Sequence, residues 1–183
     1  MSSSSSSSQQ LLSIKNTSRE FTSECFSHSS SNKTQRRIKK EDASKMIIGC
    51  DIGNVLRDNM SGKSIEGAIE GIKLLLKSNE VVLISKCKET YKQKSLNFLK
   101  RNGLNSIRKI FVTEDLDKIT VPIDLDVMID DKIKILLAYP DSVQKIWFCR
   151  DSKKIKGAKK YNPEWFDKVT LCQNWHGILA TFS

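Results

Sequence analysis

A Rossmann-like α/β fold is the class this sequence predicts, three layers with a central parallel sheet, helices on both faces and no lid domain. Three observations carry that expectation. From residue 46 onward, short β-branched runs alternate with longer amphipathic stretches, the pattern of a parallel sheet covered by helices. The first apolar run, Met46-Ile47-Ile48-Gly49-Cys50, ends on Asp51, so a carboxylate stands where a buried strand breaks into the glycine-containing turn Ile52-Gly53-Asn54. Residues 51 to 80 are all that separate the first two runs, and a helix takes many of them, leaving no room for an inserted domain.

The elements follow in order. Strands are expected over 46–50, 81–85, 109–113, 126–129, 145–149 and 168–172. The first helix is read from the stripe Ile65, Ala68, Ile69, Ile72 and Leu75, ending at Ser78-Asn79. A second helix over 88–101 closes at Asn102-Gly103, where glycine supplies the left-handed residue that ends many helices. A short third one over 133–138 stops before Pro140. Right-handed crossovers then bring every strand's carboxyl end to one edge of the sheet.

At 183 residues the chain has length for one ordinary domain and a tail. The tail is expected over 1–45, a Ser-rich stretch with too little apolar surface to offset the entropy of ordering, and the domain over 46–183. The net charge is +10, and the tail holds eight basic against four acidic residues, so the domain is basic as well. No apolar run approaches the ~18 residues of a membrane span, and no signal-peptide core is evident. A cytoplasmic location is expected, with Arg36-Arg37-Ile38-Lys39-Lys40 as a possible nuclear address or nucleic-acid contact and a transit peptide as a further alternative. The five cysteines form no Cys-x-x-Cys pair and are expected to stay reduced; Cys25 and His28 offer at most half a metal site.

The chemistry sits at the strand ends. Val81-Val82-Leu83-Ile84 ends in Ser85, and Asp126-Val127-Met128-Ile129 ends in the pair Asp130-Asp131. Two adjacent carboxylates, joined by Asp51 from a neighbouring strand, repel one another unless a cation neutralises them. A hard divalent ion with oxygen ligands, Mg²⁺, satisfies that need. Ser61-Gly62-Lys63-Ser64 does not complete a phosphate loop, because the earlier glycine the motif requires falls on Arg57.

This ordered set, Asp51, Ser85, Lys118 and Asp130-Asp131, resembles the haloacid dehalogenase superfamily of phosphohydrolases over about residues 46 to 175. The segments Ile110 to Lys118 and Asp124 to Lys132, with Phe166-Asp167-Lys168-Val169 and Asn174-Trp175, are similar to a capless, deoxyribonucleotidase-like branch. The resemblance implies that Asp51 attacks phosphorus to form an aspartyl phosphate. It implies Mg²⁺ held by Asp51, Asp130, Asp131 and the Gly53 carbonyl, and phosphate bound by Ser85, Lys118 and Asn54. Lys86 and Lys132 compete with Lys118 for its role. The implied partner is a phosphorylated substrate, a nucleotide, a nucleic-acid end or a phosphoprotein.

One position departs from the pattern. Most phosphatases of this group carry a second Asp two residues after the nucleophile, as the acid that protonates the leaving oxygen; here it is Gly53. Such help is typically worth about 10² to 10⁴ in rate, so alkyl phosphate esters suffer most from its loss. Asp58, Glu66 or a water are the available substitutes. The alternative is a degenerate fold kept as a binding module, and a third reading is nucleic-acid binding without chemistry. Arg57, Lys63, Lys86, Lys88, Lys132, Arg150, Lys153, Lys154, Lys156, Lys159 and Lys160 are expected in loops leaving the strands, as a basic rim on the edge that carries Asp51.

Overall fold

A computed structural model describes residues 45–113 and 116–183. The Ser-rich stretch with Cys25, His28 and the basic run 36–40 lies outside the described residues, apart from Lys45.

Six strands, β1 (Ile47–Cys50), β2 (Glu80–Lys86), β3 (Arg108–Val112), β4 (Val127–Asp130), β5 (Gln144–Phe148) and β6 (Thr170–Cys172), form one parallel sheet in the order β3-β2-β1-β4-β5-β6. The chain winds outward on either side of β1, so the switch point between β1 and β4 opens a crevice at their carboxyl ends. The register sets Cys50 beside Ile129, and the Asp51 N–H donates to the Ile129 carbonyl at 2.9 Å. Asp51 therefore begins where pairing with β4 ends.

Alternation along the strands feeds two cores. Ile48, Cys50, Val81, Leu83, Ile146 and Phe148 face α1 (Ala68–Leu75), α2 (Glu89–Arg101) and α5 (Trp175–Ala180). Val82, Ile84, Met128 and Trp147 face α3 (Ile133–Ala138) and α4 (Ser152–Tyr161) on the other side. These are the three layers expected, and among the described residues no cap stands over the carboxyl edge. No helix there is long and apolar enough to cross a membrane.

Two differences from the sequence reading have physical causes. The first helix starts at Ala68 rather than Ile65, because Gly67 at φ 73° breaks the helical path; Ile65 is still buried, within the preceding loop. Residues 152–161, expected as part of a basic loop, form α4, which Asp151 caps by accepting from the Lys153 and Lys154 N–H groups. Lys153, Lys154, Lys156, Lys159 and Lys160 thus stand on a helix.

Helix α5 braces the turn after β1. The Trp175 indole N–H donates to the Val55 carbonyl at 2.9 Å, and its ring packs so closely on Gly71 that a Cβ there would overlap it.

Candidate active site

Asp51 leaves β1 with its carboxylate held at both oxygens. Oδ1 accepts from the Ile52 N–H at 2.7 Å, and Oδ2 lies 3.1 Å from Lys118 Nζ. Asp130, the last residue of β4, is fully buried; its Oδ2 lies 2.6 Å from the same Nζ and its Oδ1 accepts from the Lys132 N–H at 2.8 Å. Lys118 reaches this position from the 3-10 turn Lys118–Thr120 and is itself only 3 % exposed. Of the three lysines the sequence offered, it is the one between the carboxylates: Lys86 pairs with Asp117 at 3.3 Å, and Lys132 contributes its backbone N–H to Asp130.

Electrostatics follow from burial. Burial pushes the Asp130 carboxyl up to about 7, with the charge of Asp51 adding to it and Lys118 opposing. Burial alone would strip the Lys118 proton, but Asp51 and Asp130 overcome it and hold the ammonium well above its usual range. Burial likewise raises the Cys50 thiol, reinforced by Asp51, so it is a neutral packing group rather than a nucleophile.

Asp131 adds a third carboxylate, and one ligand atom from each of Asp51, Asp130 and Asp131 lies within 4.8 Å of the others. Its Oδ2 accepts from Asn54 Nδ2 at 3.0 Å, while its carbonyl receives the Trp147 indole N–H and Lys154 Nζ, both at 3.1 Å. Asn54 sits in the left-handed region at φ 56° and its Oδ1 accepts from the Asn59 N–H at 3.2 Å, so the turn, Asp131 and the following loop are knit together.

Asp51, Gly53, Asn54, Ser85 and Asp131 line one pocket of about 190 Å³. Lys118 and Asp130 stand behind its wall, through Asp51. The loop after β1 closes the other side, folded back by bridges between Gly53 and Arg57 and between Arg57 and Ser64.

Two residues of this loop carry more than the sequence reading gave them. Arg57, read as part of a surface rim, is 5 % exposed, lines the pocket and has an Nε with no hydrogen-bond partner. Asn59, which drew no attention, also lines it. The only hint was Gly53, whose missing side chain leaves room for another group. Asp58, a candidate substitute acid, is turned elsewhere: its carboxylate accepts from the Met60 and Ser61 N–H groups, the Ser61 hydroxyl and Arg150. Those bonds, from the Ser61 N–H first and then Arg150, lower it to about 2, so it is an ionised anchor and a poor proton donor. Glu66 and His176 are exposed and outside the pocket.

No family model and no curated protein matches the sequence. Solved structures do. A D,D-heptose 1,7-bisphosphate phosphatase from Burkholderia thailandensis is similar at 14 % identity and a TM-score of 0.56, over 75 % of this chain and 98 % of that one. A protein described as a haloacid dehalogenase-like hydrolase from Burkholderia xenovorans is similar at 12 % identity and a TM-score of 0.53, over 76 % of this chain and 96 % of that one. At such identities the likeness establishes the fold alone, the parallel α/β architecture that this chain shares with both proteins.

Proposed function

We propose that the chain is a Mg²⁺-dependent phosphohydrolase in which Asp51 takes the phosphoryl group and water then removes it. The observation that carries this reading is Lys118 Nζ held between Asp51 and Asp130, with Asp131 closing a three-carboxylate cluster at the carboxyl edge of the sheet. The donor set fits a divalent cation. Three carboxyl groups share one ammonium in a largely buried site, and the excess negative charge that results is what a hard dication with oxygen ligands balances. Asp51, Asp130, Asp131 and the Gly53 carbonyl would hold it. Once bound, such an ion neutralises phosphate charge and so makes a carboxylate an adequate attacking group.

The chain's own groups do the rest. Asp51 is the nucleophile, oriented by Lys118 and the Ile52 N–H. Ser85, at the end of β2, hydrogen-bonds a phosphate oxygen, and Lys118 offsets charge that builds on Asp51 and the phosphoryl group. Asn54 fixes Asp131 and presents the turn to the phosphate. The pocket, uncovered among the described residues and edged by Lys86, Lys88 and Lys132, suits a nucleotide or a phosphorylated end of a macromolecule, in keeping with the nucleotidase-like resemblance. In this reading the domain is residues 46–183, with 1–45 as a tail.

A phosphatase screen over nucleotides, phosphorylated nucleic-acid ends, phosphopeptides and sugar phosphates, with and without Mg²⁺, tests it. Release from an aryl phosphate should need the metal and vanish in Asp51→Asn; release that survives the substitution contradicts the reading. One observation favours a second reading, a catalytically degenerate binding module: Gly53 brings no acid. Phosphoester turnover at ordinary enzyme rates would dismiss it.

A further inference from the structure

The loop wall of the pocket offers no proton donor and holds a buried cation. A Cβ added at Gly53 would stand 2.9 Å from Asn59 Nδ2 and 3.2 Å from its Oδ1, so the Asn59 carboxamide occupies the ground a longer side chain at 53 would need. The same Oδ1 accepts from Arg57 Nη2 at 3.2 Å. Asn59 thereby steadies a guanidinium that has an unpartnered Nε and, among the described residues, no carboxylate at ion-pair distance. Such burial is costly unless an anion arrives to compensate it. A guanidinium does not give up its proton under conditions a protein survives. It can meet negative charge on a departing group, yet it cannot protonate a departing alkoxide.

We propose that Arg57 receives the leaving group, and that the substrate class is therefore a phosphoanhydride, whose leaving phosphate departs as an anion, rather than an alkyl phosphate ester. This rests on the phosphohydrolase reading above. In the first step an Asp51 oxygen forms a bond to phosphorus and the bond from phosphorus to the bridging oxygen breaks. The electron pair stays on that oxygen, which leaves as phosphate beside Arg57, and no proton moves. In the second step water attacks the aspartyl phosphate, the pair of the breaking O–P bond returns to the Asp51 carboxylate, and a water proton passes to bulk solvent. With no side chain at Gly53 to act as base, this second step is the slower one. Lys86 and Lys132, on the same pocket, add charge suited to a substrate with more than one phosphate.

The test compares kcat/KM for a nucleoside diphosphate, the corresponding monophosphate, acetyl phosphate and an aryl phosphate in the full-length protein and in Arg57→Met, Arg57→Lys and Asp51→Asn. The diphosphate should be preferred over the monophosphate by about 10² or more. Arg57→Met should cut that ratio by about tenfold or more, and Arg57→Lys by less. A ratio near one in the unaltered protein, or one that Arg57→Met leaves intact, overturns the proposal, as does acetyl phosphate outrunning the diphosphate. If Arg57→Met does not fold, the ratio in the unaltered protein and in Arg57→Lys decides. Asp51-dependent release from the aryl phosphate alongside a ratio near one defeats this proposal and leaves the phosphohydrolase reading standing. Absence of Asp51-dependent release from every substrate defeats the phosphohydrolase reading as well.

Discussion

On the carboxylate side of the pocket each of the three carboxylates is hydrogen-bonded to the protein, whereas on the loop side a guanidinium is buried with, among the described residues, no carboxylate at ion-pair distance. Lys118 bridges Asp51 and Asp130, and backbone N–H groups take up their other oxygens. Across the pocket Arg57 has a single side-chain bond to Asn59 and an orphaned Nε, beside a glycine that contributes no side chain at all. A satisfied network fixes geometry, while an unsatisfied one stores a demand for a ligand. The first wall is thus suited to hold a reacting group still, and the second to accept something that comes and goes.

The largest way to break this contrast is Lys118→Met. Removing one member of a buried ion pair leaves the carboxylates uncompensated, at a typical cost of about 3–5 kcal/mol. Urea unfolding should register a loss of that order in metal-free protein, partly recovered on adding Mg²⁺, and an unchanged midpoint would mean that the network carries no stability. Gly53→Asp combined with Asn59→Ala sharpens the contrast from the other side by placing an acid on the loop wall. Hydrolysis of an alkyl phosphate should rise about tenfold or more and its pH profile become bell-shaped. A flat response would show that leaving-group protonation does not limit the rate.

The smallest effect concerns the loop's outer anchor. Asp58 has its folded-state pKa lowered from 3.8 to about 2. The unfolded chain therefore binds the proton more readily, and the contribution of Asp58, present above about pH 4, is lost as pH falls toward 2. In Asp58→Asn, melting temperature should fall less steeply across that window than in the unaltered protein. Identical slopes would mean that Asp58 and Arg150 do not tie the loop to the end of β5.

The two walls also differed in how far they could be read from sequence. Asp51, Ser85 and Asp130 close hydrophobic runs, so each announces its place at a strand end, and the strand ends of an all-parallel sheet share an edge. Lys118 lies in an irregular stretch with no period, and only a resemblance singled it out from Lys86 and Lys132. Helix α4 leaves no periodic signal, because just Ile155 and Ala158 are buried among its lysines, too few to show a stripe. Arg57 misled in the opposite direction. An arginine in a loop reads as surface, and its burial arises from backbone bridges to Gly53 and Ser64 that no sequence period encodes. Asn59 takes up the space that a side chain at Gly53 would need, a relation between two residues that neither displays alone.

The proposed aspartyl phosphate is tested most directly by acid-quenching the protein during incubation with an aryl phosphate and Mg²⁺ and locating any covalent phosphate by peptide mass spectrometry. The covalent phosphate is expected on Asp51, accumulating because removal by water is slow. Phosphate on another side chain, or steady turnover by Asp51→Asn, would contradict it.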